Sequence, residues 1–220
     1  MTERFAKLDK EKQQRILLAA MREFARGGYR RTGTDGITAA AGISKGLLFH
    51  YFGTKKKFYL FLVDYALETM KRDILPQMDK NPDILQRLLA NGLLKVRLYS
   101  CYPELIDFYT SISKEHNEDV VGEIQARLQA YARQAYSVAL ADVDKSLFRE
   151  DVDSDKAIDI ITWTMEGHGN QVLAQLREEP VEGLDFGDLN RQFEQYINIL
   201  RKCLYKKGVC SGANVDTGSD

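Results

Sequence analysis

Apolar residues recur along this chain at intervals of three and four, which is the spacing of positions on one face of an α-helix. The segment from Val120 to Val138 follows this spacing, and so do the segments 154 to 178 and 187 to 206. Sustained alternation of apolar and polar residues, the pattern of a half-buried strand, is nearly absent. The sequence therefore predicts an all-α protein.

Glycine and proline residues mark where the predicted helices end. The first helix is expected from about Asp9 to Arg26, because Gly27 and Gly28 follow it. The other expected helices span about residues 34 to 41, 45 to 52, 55 to 75, from near 82, from near 103, 120 to 138, 154 to 178 and 187 to 206.

Two of these helices are short and are separated by a tight turn. Gly42 is expected to turn the chain, and Ser44 is expected to cap the next helix, because a serine hydroxyl accepts a free backbone N–H at a helix start. Two short helices around such a turn form a helix-turn-helix, whose second helix is free to enter the major groove of DNA.

The net charge of −1 is very unevenly distributed along the chain. Residues 1 to 57 carry thirteen Lys and Arg against five Asp and Glu, whereas the remainder has a net charge of −9. Lys55, Lys56 and Lys57 stand at the start of a predicted helix, where the helix dipole disfavours positive charge. This asymmetry indicates a polyanion-binding segment joined to an acidic body, and DNA phosphate is the expected anion.

The segment from about residue 15 to residue 58 resembles the N-terminal DNA-binding domain of TetR-family transcriptional regulators. The matching residues are Ile16-Leu17, Ala19-Ala20, Phe24, Gly28-Tyr29, Ile37, Ala41-Gly42-Ile43-Ser44-Lys45-Gly46, Leu48, Tyr51-Phe52 and Lys55. The resemblance implies an N-terminal three-helix helix-turn-helix domain over residues 1–53. A helical effector-binding and dimerisation domain is expected over residues 54–207, followed by a mobile tail over residues 208–220.

The resemblance also implies that residues 45 to 52 form the recognition helix of a protein that binds double-stranded DNA. Lys45 and Gly46 would then reach base edges, whereas His50, Tyr51 and Lys55 would hold phosphates. The complete set of residues expected at the DNA is Thr34, Ser44, Lys45, Gly46, Leu47, Phe49, His50, Tyr51 and Lys55.

Three positions depart from the pattern of the resembled family. Leu47 stands where threonine is common and Phe49 where tyrosine is common, so two hydroxyl groups are missing. Either side chain can contact the DNA or pack inward. Gly33 stands where a hydroxyl residue often caps the second helix, and Thr34 is expected to take over that role.

Aromatic residues between the basic segment and the last two helices indicate a pocket for a small effector. Aromatic walls with a few polar groups are typical of such pockets, although the same residues can simply fill the core. The expected lining is Tyr99, Phe108, Tyr109, Tyr131, Trp163, Glu166 and Asn170. The effector itself is unknown and is expected to be apolar or aromatic.

The last two helices are expected to dimerise. A single recognition helix reads only a few base pairs, so domains of this size generally bind palindromic operators as two-fold dimers. Gly167 and Gly169 allow close backbone approach, and pairing with a second copy would form a four-helix bundle. The residues expected in this interface are Ile161, Met165, Gly169, Val172, Phe193, Ile197 and Leu200.

Catalysis is not expected, because His50, His116 and His168 are far apart and no phosphate-cradling or nucleophile motif is present. No cofactor and no metal site is expected either. No apolar run is long enough to span a bilayer, and the charged N-terminus lacks a secretion signal, so a cytoplasmic location without a membrane partner is expected.

The sequence thus predicts a ligand-responsive DNA-binding regulator, expected to be a repressor. The alternative is a helical protein-interaction module with a basic, anion-binding end.

Overall fold

The computed structural model describes residues 3–178 and 186–208, apart from some side chains within four of the helices. The described residues are mainly helical and contain no strand, which confirms the predicted all-α class. The α-helices are α1 (Glu3–Ala6), α2 (Lys10–Arg31), α3 (Thr34–Ala41), α4 (Lys45–Phe52), α5 (Lys55–Thr69), α6 (Ile84–Cys101), α7 (Pro103–Ser113), α8 (Val121–Ala139), α9 (Ser154–Glu178) and α10 (Phe186–Leu204). All but the first residue of the expected tail lies outside the described residues.

Helix α2 is longer than the sequence pattern predicts and contains a break near its end. It continues past Gly28 to Arg31, although Gly28 has a φ of 63° and a ψ of −177°, which is not helical. Glycine adopts a positive φ without steric cost. The hydroxyl of Thr32 donates to the Gly28 carbonyl at 2.8 Å and so ties the end of the helix across the break.

Helices α3 and α4 have the bounds that the sequence predicts, whereas α5 ends earlier than expected. The regular part of α5 stops at Thr69 and is followed by a wider π-helical turn over Met70–Ile74. A short 3-10 turn, Leu75–Gln77, then contains Pro76. Proline has no N–H to donate and clashes with the preceding turn, so the regular helix cannot continue through it.

The chain divides into two compact units, and the first comprises Met1–Met78 and Arg97–Ala139. In this unit α2 packs against α3, α5 and, most extensively, α7. A row of aromatic rings forms its centre. Phe24 lies 4.6 Å from Tyr59, and Tyr59 lies 5.8 Å from Phe108, measured between ring centroids. All three side chains are fully buried.

The second unit comprises Asp79–Val96 and Leu140–Asp220, and α9 packs against α10 within it. Phe193 of α10 lies against Gly92 of α6, where a Cβ atom would come within 3.0 Å of the ring. Arg87 is fully buried, and its guanidinium donates to the carbonyls of Asn81 at 2.7 Å and Ala141 at 2.6 Å. These bonds hold α6 to the segment that follows α8.

Among the residues that the structure describes, no helix combines the length and the apolar character that a membrane span requires.

Candidate nucleic-acid interface

The turn between α3 and α4 is built by the residues that the sequence singles out. Gly42 ends α3 in the left-handed conformation, with a φ of 64° and a ψ of 40°. The N–H of Gly42 donates to Ala39 and that of Ile43 donates to Thr38, at 3.2 and 3.0 Å. Ser44 then caps α4, because its hydroxyl accepts the N–H of Leu47 at 3.2 Å. The predicted helix-turn-helix geometry is therefore present.

Helix α4 is anchored on one face and open on the other. Leu48 and Phe52 are buried, and the Phe52 ring lies 4.4 Å from the Phe58 ring. On the opposite side Ser44, Lys45, Gly46 and His50 are exposed, whereas Leu47, Phe49 and Tyr51 are half-buried. The polar and small side chains expected at DNA thus lie on an accessible face.

Thr34 does not cap α3 as the sequence suggests. The cap position is Gly33, which makes no side-chain hydrogen bond, and the Thr34 side chain is buried with 7% exposure. Any contact of Thr34 with a phosphate would therefore use its backbone N–H, which a helix start presents to anions.

The basic residues of this surface already have partners within the protein. The ammonium group of Lys45 lies 2.9 and 3.1 Å from the two carboxylate oxygens of Asp35, which follows Thr34 in α3. Lys56 pairs with Glu123 of α8 at 3.0 Å. The lysine cluster at the start of α5 is therefore compensated in part by the protein, and not only by a bound anion as its sequence suggests.

Lys55 is bound to the end of α2. Its ammonium group lies 4.7 Å from the centroid of the Tyr29 ring and donates to the Arg30 carbonyl at 3.4 Å. Burial lowers the pKa of Lys55. The side chain therefore helps to hold α5 against α2, in addition to any role at phosphate.

The short helix α1 is fixed against the recognition helix. Phe5 is fully buried, and its ring lies 5.9 Å from Tyr51 and 5.0 Å from Phe52. The amide of Gln13 donates to the carbonyls of Ala6 and Leu8 and closes the turn between α1 and α2. Phe5 thus holds α1 against the end of α4.

This arrangement coincides with a known family of proteins. Residues 16–60 match the family model described as "Bacterial regulatory proteins, tetR family". The N-terminal segment of the chain therefore matches the TetR family. The match covers α3 and α4 with most of α2 and the start of α5, so the anchored and exposed faces described above belong to the TetR-family domain.

Solved structures of TetR-family proteins share the fold over nearly the whole chain. A TetR family transcriptional regulator from Chloroflexus aurantiacus superposes with a TM-score of 0.66 and 24% identity, over 94% of this chain and 99% of that one. The ketosteroid transcriptional regulator KstR2 of Mycobacterium tuberculosis gives a TM-score of 0.57 and 20% identity, over 91% and 98% of the two chains. The helical region that follows residues 16–60 therefore shares the fold of these structures.

A curated relative is similar over a shorter stretch. The HTH-type transcriptional activator FasR of Mycolicibacterium smegmatis is 30% identical over 80 residues, which is 36% of this chain. The match likewise spans 36% of the length of that activator.

The residues expected to bind an effector fall in different environments. Phe108 belongs to the aromatic row of the first unit, and Tyr109 lies 5.9 Å from Tyr131. Burial raises the pKa of Tyr131 to about 12. In the second unit Trp163 is 66% exposed, and the structure also places Glu166 and Asn170 at the surface of α9. The side chain of Tyr99 lies outside the described residues.

Four of the residues expected to dimerise are buried within a single chain. These are Ile161, Met165, Phe193 and Ile197, on helices α9 and α10, which pack against each other. Gly169 and Leu200 are half-buried, and the side chain of Val172 lies outside the described residues. Among the side chains that the structure describes on these two helices, the large apolar ones that stay exposed are Ile160, Trp163, Tyr196 and Ile199, named here the apolar face.

Glu115 is a residue of this region that the sequence does not single out. It follows α7, and its Oε2 accepts the N–H of Tyr29 at 2.7 Å, directly after the break in α2. Its Oε1 accepts the N–H groups of His116 and Asn117 at 3.0 and 2.9 Å. At the start of α7, Glu104 accepts from Nε of Arg22 at 2.9 Å. Helix α7 is thus bonded to α2 near both of its ends.

We predict that Glu115→Gln loosens the broken end of α2. A carboxylate acceptor binds an N–H more strongly than a neutral amide does, by roughly 1 kcal/mol. Hydrogen exchange at the Tyr29 amide, measured by NMR, should therefore accelerate by roughly fivefold. Glu118→Gln is the control, since Glu118 is exposed in the same loop. Unchanged exchange at Tyr29 in Glu115→Gln would contradict this role.

Proposed function

We propose that this TetR-family protein binds a palindromic operator as a homodimer and leaves it when a small effector binds. The observation that carries the proposal is the recognition helix α4, which is capped by Ser44, anchored by buried Leu48 and Phe52, and open on its basic face. Such a protein represses any promoter that its operator overlaps. The activator FasR indicates that a relative can also act in the opposite sense.

Base edges and phosphates have different partners in this proposal. Lys45 and Gly46, at the exposed start of α4, face the base edges, and His50 and Tyr51 face the phosphates. Lys55 reaches a phosphate from the first turn of α5. The backbone N–H groups at the start of α3, beginning with that of Thr34, donate to a further phosphate.

We predict that Lys45→Ala combined with Lys55→Ala removes sequence-selective DNA binding. Duplexes that the wild-type protein enriches from a random library are the probe, and affinity is measured by gel shift at several salt concentrations. The wild-type affinity should fall steeply with salt, with a slope of about 0.9 for each phosphate neutralised. The double variant should bind at least tenfold more weakly and with a shallower slope.

Lys71→Ala is the matched control for this experiment. Lys71 lies beyond α5, outside the TetR-family domain, and pairs with Glu68 at 2.8 Å. Its loss should leave DNA affinity unchanged. Binding that is equally tight to every anionic surface, with no enriched sequence, would instead support the interaction module and refute the regulator.

The apolar face of α9 and α10 is the proposed dimer interface. Exposed side chains of this size are costly in water, and together they suit the centre of a protein interface. A second copy is the natural occupant, because a palindromic operator needs two recognition helices related by a two-fold axis. This assignment replaces the buried set that the periodicity of the sequence suggests.

We predict that Ile199→Glu weakens dimerisation, since Ile199 is 60% exposed within one chain and would be buried by a second. Burying an unpaired carboxylate in an interface is strongly unfavourable. The variant should sediment as a monomer at micromolar concentration where the wild type sediments as a dimer. Leu93→Glu is the control, because Leu93 is an exposed apolar residue of α6 outside the apolar face. Dimers of unchanged affinity in Ile199→Glu would refute the proposed interface.

The effector is proposed to bind among the aromatic residues of α7 and α8. Tyr109 and Tyr131 provide rings in edge-to-face contact there, and Phe108, next to Tyr109 in the sequence, belongs to the aromatic row. An apolar ligand suits such walls. The similar KstR2 is named as a ketosteroid regulator, which is consistent with an apolar effector of that general kind. A shift of α7 would act directly on α2 through Glu104 and Glu115.

We predict that an apolar ligand that raises the melting temperature of the protein also weakens operator binding by about 5- to 150-fold, the usual range of allosteric coupling. A panel of steroids and fatty acids is the probe. Tyr109→Ala should weaken ligand binding and leave operator affinity without ligand intact, whereas Tyr136→Ala, at an exposed position of α8, should change neither. Operator affinity that is the same with and without every stabilising ligand would refute this coupling.

A further inference from the structure

Asp35 is an unusual residue in its surroundings. Between Glu23 and Asp64 the sequence holds seven Lys and Arg but only one acidic residue, Asp35. It lies in the first turn of α3, next to Thr34, and its side chain is 78% exposed. A carboxylate at this place would face DNA phosphates, which repel it. Its presence therefore calls for a physical reason.

The ion pair of Asp35 adds little to the stability of the fold beyond what a carboxylate in the first turn of α3 contributes through the helix dipole. The partner of Asp35 is Lys45, whose side chain is 52% exposed, and ion pairs between exposed groups contribute little to folding. The pair connects the starts of α3 and α4, but Gly42 and Ser44 already fix the turn between these helices. The contact matters where Lys45 acts, on the exposed face of α4.

The geometry of the pair leaves Lys45 with donors that Asp35 does not use. A lysine ammonium group has three N–H donors; one donates to Oδ2 of Asp35 at 3.1 Å, and Oδ1 lies 2.9 Å from the same nitrogen as an ion-pair contact. A remaining donor suits an acceptor such as guanine O6 or N7. An unpaired lysine is a flexible point charge that binds any phosphate within reach. The carboxylate restrains this freedom.

We propose that Asp35 is a specificity-determining residue of the DNA interface, acting as a positioning residue for Lys45. It holds the ammonium group toward the base edges, and its own charge disfavours sites at which Lys45 finds only phosphate. A cognate site satisfies a remaining donor of Lys45, whereas an unrelated sequence does not. Asp35 thus weakens non-specific binding more than it weakens specific binding. This inference rests on the proposed function in DNA binding.

The test compares two probes for each variant: the duplexes enriched by the wild-type protein and a scrambled duplex of the same composition. In Asp35→Asn, affinity for the scrambled duplex should rise by roughly 2- to 5-fold per protomer, the range of an exposed charge interaction. Affinity for the enriched duplex should rise less or fall, so the specificity ratio drops. Binding to the scrambled duplex should also depend more steeply on salt, because Lys45 is released to phosphate.

Two further variants separate this role from a general effect of charge. Glu11→Gln removes one negative charge from the first turn of α2, at an exposed position, and should leave the specificity ratio unchanged. In a Lys45→Ala background, Asp35→Asn should no longer alter the ratio, because the residue through which it acts is gone. Circular dichroism and thermal unfolding of Asp35→Asn should match those of the wild type.

The outcomes that overturn the inference are distinct from those that overturn the proposed function. A specificity ratio that Asp35→Asn leaves unchanged refutes it, as does an equal tightening on both probes. An effect of Asp35→Asn that persists without Lys45 also refutes it and would indicate that Asp35 reads a cytosine directly. If the wild-type protein enriches no DNA sequence at all, the proposed function itself has failed.

Discussion

The packing of three buried aromatic rings determines how the DNA-binding helices relate to the helices behind them. Phe24 of α2, Tyr59 of α5 and Phe108 of α7 form one contiguous row. Protein interiors are close-packed, so one of these rings cannot shift while its neighbours keep their places. Movement of α7 therefore has to be accommodated by α2 and α5 together. Helices α2 and α5, which flank the recognition helix, thus share one core with α7, which carries residues of the proposed effector site.

The break at Gly28 adds a polar connection to this core. Backbone N–H groups beside a break in a helix need acceptors outside the helical hydrogen bonds. Glu115, in the loop that follows α7, supplies such an acceptor for Tyr29. Arg22 and Glu104 make a second connection at the start of α7. Packing in the middle and hydrogen bonds at both ends favour movement of α2 and α7 as one body. The TetR-family domain is in this sense coupled to α7 by geometry as well as by the covalent link through α5.

Local features of the sequence predict the helix-turn-helix. Contacts between residues far apart in the sequence account for part of what the sequence does not predict. The bounds of α3 and α4 follow from Gly42 and Ser44, whose effects act within a few residues. The bond from Glu115 to Tyr29 joins residues 86 positions apart, so no local pattern indicates it. The early end of α5 reflects a widened turn before Pro76, whereas helical periodicity alone continues to the proline.

Helical periodicity shows that a helix has an apolar stripe, but it does not show whether that stripe packs within its own chain or against another one. Ile161 and Met165 lie on such a stripe, and the protein uses it to pack α9 within its own chain. Ile160 is one position away, which is about 100° around the helix axis, and stays 45% exposed. The proposed dimer therefore uses the two helices that the sequence indicates, but a different face of them. Only the assembled core shows which stripe remains uncovered.

Several lysines near the recognition helix already have partners within the protein, so the net charge of this surface does not by itself determine its affinity for DNA. Lys45 is paired with Asp35, Lys56 with Glu123 and Lys55 with the end of α2. Each lysine that contacts DNA must exchange or share its partner within the protein, so binding depends on the difference between two sets of interactions. Because Glu123 belongs to α8, any displacement of α8 changes the cost of releasing Lys56. The helices behind the TetR-family domain can therefore alter DNA affinity through charge, even where the recognition helix itself does not move.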